Sequence, residues 1–160
     1  MDDRFLDHLR EIHHTYSDQV RMADQKAAYI FTFMLALLIW SKEFHGVFTA
    51  ERYATGSPAL IAVSLVAAVS LVVALLAAMI VVLPRHRPGG STLFWGRWEQ
   101  DSAALFDAAR RDDRDFIADE YRRNIDQLAA ICRSKYRFTG ISFRSLIVSV
   151  LAYVAMMPLV

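Results

Sequence analysis

Residues 58–83 read PALIAVSLVAAVSLVVALLAAMIVVL, 26 consecutive positions without an ionisable side chain. About 20 apolar residues suffice for a helix to cross the roughly 30 Å hydrocarbon core of a bilayer, because a helix rises about 1.5 Å per residue and satisfies its own backbone polar groups. This stretch therefore belongs in a membrane. Composition agrees: 55% of the 160 residues are hydrophobic, above the roughly 45–50% of a soluble domain. The excess lies in 27–40, 58–83 and 141–159, and the intervening stretches carry nearly all the charge.

The first of these segments is short. Residues 27–40 cover roughly 21 Å at about 1.5 Å per residue, so the span is expected to continue through SKEFHGVF to Phe48. Lys42, Glu43 and His45 then lie at the outer headgroup level, and Lys26 snorkels at the inner one. The third segment, 141–159, carries Arg144 one turn inside its start, where the side chain is expected to reach back to the interface.

Orientation follows from the flanking cations. Residues 1–26 hold four Lys or Arg, the 41–57 loop holds two and 85–140 holds eleven. The positive-inside rule then puts the N-terminus and the long second loop in the cytoplasm, with the short first loop and the C-terminus outside. The expected fold is an all-α membrane protein with three transmembrane helices and a cytoplasmic helical bundle. Its parts are an amphipathic stalk helix (1–26), a first span (27–48), an external loop (49–57), a second span (58–83), a cytoplasmic helical region (84–140) and a third span (141–159). A long mixed-charge helix ahead of the first apolar run is unlike a short basic leader, so no cleaved signal peptide is expected.

Within the stalk, Phe5, Leu9, Ile12, Tyr16, Ala23 and Ala27 recur at three- and four-residue spacings, with Val20 beside them, and make one amphipathic stripe. No proline or glycine interrupts the chain before Trp40, so one helix is expected to run from the stalk into the membrane. After the second span, PRHRPGG (84–90) predicts a turn, and Phe94, Trp95 and Trp98 are expected to pack on helices or sit at headgroup level. A short helix capped by Asp101 and a longer one capped by Asp112 or Asp113 follow. Ile117, Tyr121, Ile125 or Leu128, Cys132 and Tyr136 form the apolar face of the longer helix, and Thr139–Gly140 marks a break before the third span.

The chemistry-bearing patterns are sparse. Phosphate-binding glycine loops, zinc-protease pairs and nucleophile elbows are all missing, so no catalytic residue is expected. Adjacent His13 and His14 point different ways on a helix, and Cys132 is alone, so neither metal nor disulfide is expected. A formal net charge of +1 without a basic block argues against nucleic acid as a partner. The arginines between 110 and 137 are accounted for by pairing with Asp107, Asp115, Asp119, Glu120 and Asp126, although guanidinium groups beside Tyr121 and Tyr136 also suit a phosphate and a base. Asp24 stands near the inner membrane face, where a carboxylate needs a partner, and Arg21 at i−3 is the local choice.

ADQKAAYIF (23–31), PR (84–85), LFWG (93–96) and YRRNIDQLAAICRSKYR (121–137) occur in that order. They resemble the successive blocks of the Pycsar transmembrane effector family: the A-D-x-K-A entry to the first span, and a K-Y-R element before the last. The resemblance implies a bacterial inner-membrane antiphage effector that answers cyclic UMP or cyclic CMP, made by a separate cyclase, by disrupting the membrane and halting growth. It implies no catalysis and no cofactor beyond that regulatory ligand. The partners expected are the bilayer, the cyclic nucleotide and further copies of the chain, since three spans are too few to enclose a wide pore. Asp24, Lys26, Arg85, Lys135 and Tyr136 are the candidate ligand or gating residues, because all lie near the cytoplasmic membrane boundary. The alternative is a constitutive anchor or scaffold whose cytoplasmic helices bind a partner helix.

Overall fold

The computed structural model describes residues 3–84, 91, 93 and 98–159, with side chains excepted at 3 and 98–101. The described residues are helical, without a strand. The chain runs through α1 (Asp3–Trp40), α2 (Lys42–Gly46), α3 (Ala50–Thr55), α4 (Pro58–Val82), α5 (Trp98–Arg110) and α6 (Arg114–Met156), and closes on a 3₁₀ turn (Met157–Leu159). Three helices, α1, α4 and α6 with its closing turn, are long and apolar enough to cross a membrane.

Local chemistry sets these boundaries. With no glycine or proline before it, α1 continues for 38 residues. It stops at Trp40, short of the expected Phe48, because Ser41 leaves the helical region and its hydroxyl accepts from the Phe44 N–H, starting α2. Ser57 caps α4 in the same way on the Leu60 N–H, with Pro58 in the first turn. At the other end Pro84 forces Leu83 into an extended conformation (ψ 131°), which ends α4.

α5 begins at Trp98, three residues ahead of the Asp101 expected to cap it. It closes with Asp112 left-handed (φ 51°), the Asp113 N–H on the Ala108 carbonyl at 2.9 Å and the Asp112 N–H on the Ala109 carbonyl at 3.3 Å. That is a Schellman close with aspartate where glycine is usual. Asp113 then accepts from the Phe116 N–H at 3.1 Å and caps α6. The Thr139–Gly140 break is absent, since α6 passes through both residues.

Contacts divide the chain into two compact units, Met1–Met22 with Pro84–Ser134 and Ala23–Leu83 with Lys135–Val160. In the second unit α4 turns Ser64, Ala67, Leu71, Ala74, Ala78 and Val81 inward at alternating three- and four-residue spacings. These mostly small side chains let neighbouring helices approach closely, as membrane packing requires. Ile30 and Met34 of α1, Phe44 of α2 and Leu71 and Ala74 of α4 form one cluster; Val47, Ala67, Ala152 and Met156 form a second. Phe44 stacks on Tyr153 at 4.9 Å, and Ser142 of α6 donates to the Ala74 carbonyl at 2.8 Å. The opposite face of α4, from Leu65 to Leu83, is exposed aliphatic surface suited to lipid.

In the first unit Leu9, Ala108, Ala118 and Ile131 are buried, and so are Glu120, Asn124 and Gln127. The inward face of α6 is thus offset from the one expected. Tyr121, Ile125, Leu128 and Cys132 are only half-buried, while polar Glu120, Asn124 and Gln127 face inward. Within that face Glu120 accepts from the Ser91 hydroxyl at 2.8 Å and from Arg123 at 3.5 Å. On α1, Leu9, Ala23 and Ala27 are buried as the stripe predicts, but Phe5 is exposed.

Candidate functional site

The site forms where α1, α4 and α6 meet in the second unit. Ala23 and Ala27 on α1 have no exposed surface, and the absence of any longer side chain there lets α6 come close. Asp24, between them, pairs with Lys135 of α6 rather than with Arg21. The Lys135 side chain is 7% exposed and that of Asp24 37%. The partner lies 111 residues away in the chain. Arg21 loses because its pairing would be confined to the helix surface, whereas the close α1–α6 approach offers Asp24 a cation in a drier place.

Lys135 also donates to the Val81 carbonyl at 2.8 Å. That carbonyl is in the last turn of α4, where no following turn supplies an N–H, and it carries the negative end of the helix dipole. Pro84 creates the vacancy by ending the helix. One ammonium therefore joins three helices, and it does so through residues from three of the sequence blocks: Asp24 of ADQKA, Lys135 of KYR, and the α4 terminus shaped by the proline of PR.

Lys26 and Tyr136 make a second link between α1 and α6. The Lys26 ammonium lies 5.4 Å from the centre of the Tyr136 ring, within cation–π range. Beside them Lys26, Tyr29, Ile30, Tyr136, Thr139, Gly140 and Phe143 line a groove of about 440 Å³. A Cβ added at Gly140 would meet nothing within 4 Å, so the glycine leaves the groove open at that point. Of the five residues chosen from sequence, Asp24, Lys26, Lys135 and Tyr136 are brought together as two pairs. Arg85, Phe94 and Trp95 lie outside the described residues, as does most of the 84–90 turn.

The first unit holds a separate polar group. His13 of α1 meets the Tyr121 ring edge-on at 6.0 Å. Its pKa is lowered, chiefly by burial and then by the neighbouring His14, against a hydrogen bond with Asn124 that raises it. Arg10 is held above its usual value first by its hydrogen bond with Tyr121. Sequence reasoning took Glu120 only as a surface partner for arginine and passed over Asn124 and Gln127, although their four- and three-residue spacing continues to Ile131 and Lys135 and marks one helix face. The outer arginines pair locally as expected: Arg110 with Asp107 at 3.7 Å, Arg122 with Asp119 at 4.0 Å and Arg123 with Asp119 at 2.7 Å. Exposed pairs of this kind contribute little stability. No cluster of metal-ligating side chains occurs among the described residues.

A family model described as the Pycsar effector protein domain matches residues 8–160. No curated protein and no solved structure matches the chain.

Proposed function

This chain belongs to the Pycsar effector protein domain family of antiphage defence effectors, and from that premise we propose that it senses a cyclic pyrimidine nucleotide, cyclic UMP or cyclic CMP, and disrupts the membrane it spans. The nucleotide comes from a separate cyclase. The membrane is the bacterial inner membrane, with the N-terminus and residues 84–140 on the cytoplasmic side, and the working form is a homo-oligomer. The family is one of effectors and is not known as a catalytic one, in keeping with a chain that signals by changing its packing.

The observation that carries this reading is the Lys135 junction. Asp24 and the Val81 carbonyl both depend on one ammonium, and the helices they come from, α1 and α4, span the membrane by length and composition. α1 and α6 also supply residues to the other compact unit without a break in either helix. A ligand that favours one packing of these helices over another must shift the spans as well, by no more than its difference in affinity for the two. Lys26 and Tyr136 supply the chemistry such a ligand needs, a cation for the cyclic phosphate and a ring for the pyrimidine.

The test is uptake of an impermeant dye by cells expressing the chain with an active cyclase or a catalytically dead one. Uptake confined to the active cyclase supports the reading. Equal exclusion in both, with the protein present in the membrane, overturns it in favour of a constitutive anchor.

A further inference from the structure

The groove beside Lys26 and Tyr136 has two unlike ends. Lys26 directly precedes the apolar run 27–40 and Gly140 the run 141–159, so both helices enter the membrane at the level of the groove. Lys26 is its charged end. Among the described residues Lys26 has no carboxylate partner: Asp24 is engaged by Lys135, and the Tyr136 ring supplies attraction without a counter-charge. An ammonium at an apolar boundary is stabilised by an anion.

The other end is apolar. From Tyr136 to Phe143 α6 advances seven residues, about 10 Å at 1.5 Å per residue, so the groove reaches that far beyond the charge. Its floor there is Ile30, 9% exposed, and Gly140, whose missing side chain leaves space; Phe143 stands beside them, half exposed. None of these three brings a hydrogen-bonding side chain, and the Thr139 hydroxyl donates to the Lys135 carbonyl at 2.9 Å. A ribose or a base edge would lose its water there without replacement, whereas an acyl chain has no such loss. A molecule with a phosphate at one end and hydrocarbon at the other suits both ends, as phospholipids do in basic recesses between membrane helices.

We propose that this groove seats one anionic phospholipid, with its phosphate on Lys26 and one acyl chain over Gly140, and that the nucleotide must take Lys26 from it. Phosphatidylglycerol fits better than phosphatidylethanolamine, which carries an ammonium of its own to face Lys26. The lipid seat stands on the groove alone; the competition rests on the reading that Lys26 meets the cyclic phosphate. A lipid bound to one packing of α1 and α6 stabilises that packing until the nucleotide arrives.

The full-length chain is reconstituted in vesicles of equal parts phosphatidylglycerol and phosphatidylethanolamine and extracted in mild detergent, and the lipid retained per chain is read by native mass spectrometry. Wild type is expected to retain phosphatidylglycerol in preference. Lys26→Arg should keep that preference and Lys26→Gln lose it, while Gly140→Leu, which fills the acyl path with the charge intact, should lose the lipid, all at matched helicity. No preference in wild type, or a preference unchanged in Lys26→Gln, would overturn the seat. Retention unchanged in Gly140→Leu would reduce it to diffuse attraction of headgroups and overturn it equally. Cyclic UMP or cyclic CMP added before extraction should release the lipid from wild type. Nucleotide bound in equilibrium dialysis with the lipid still in place would overturn the competition. Lipid retained with neither nucleotide bound would keep the seat and remove both the competition and the nucleotide reading.

Discussion

Removing one partner from a buried ion pair strands the other charge, and Lys135 is placed so that its loss strands two acceptors, Asp24 and the Val81 carbonyl. Lys135→Met should therefore cost about 3 kcal/mol, the lower end of the range for breaking such pairs, because Asp24 keeps some exposure. Adding Asp24→Leu should recover part of that loss; a double-mutant cycle from unfolding in mixed micelles reads the coupling, and strict additivity would contradict the pairing. Sequence could flag Asp24 as a carboxylate needing a partner, but only local spacing is legible there. A partner 111 residues away is set by which helices meet.

His13 supports a pH prediction at the same scale. Its pKa is lowered on folding, mainly by burial. A histidine with a depressed folded value is fully compatible with the fold above the unfolded value near 6.5. Stability is lost as pH falls below that, where the unfolded chain takes up a proton that the folded chain resists. His13→Gln should flatten the pH dependence of stability below about pH 6.5; an unchanged slope would show that His13 is not its source.

At the scale of the element, α6 separates what hydrophobic pattern can and cannot reveal. The pattern finds a helix, yet it misplaces the inward face, because polar Glu120, Asn124 and Gln127 are inside, Glu120 accepting from the Ser91 hydroxyl and Asn124 hydrogen-bonding His13. The Thr139–Gly140 break fails for a related reason. A mid-helix glycine costs only about 0.5–1 kcal/mol, which packing along 43 residues outweighs. Since a Cβ at Gly140 meets nothing within 4 Å, Gly140→Ala should stabilise the protein by about 0.5–1 kcal/mol. Thermal unfolding followed by circular dichroism checks it, and a loss of stability would mean the position needs glycine for close approach. By contrast the unbroken course of α1 was legible as far as Trp40, because a run without glycine or proline has little alternative, while its expected continuation to Phe48 fails at the Ser41 cap.

Across the whole molecule, three spanning helices and an all-helical fold follow from composition and segment length alone. The junction does not, although Asp24, Pro84 and Lys135 stand in the blocks that resemble those of the family. Small residues at 23 and 27, a proline at 84 and a lysine at 135 have meaning only when three helices are brought together. The central claim is that this junction couples nucleotide to membrane. The measurement that tests it most directly is dye release from vesicles holding the purified chain, with cyclic UMP or cyclic CMP added, comparing wild type with Asp24→Asn at matched insertion and helicity. The account predicts nucleotide-dependent release from wild type and release indifferent to nucleotide from Asp24→Asn. Release from Asp24→Asn that follows nucleotide as in wild type, or no wild-type release with either nucleotide, would contradict it.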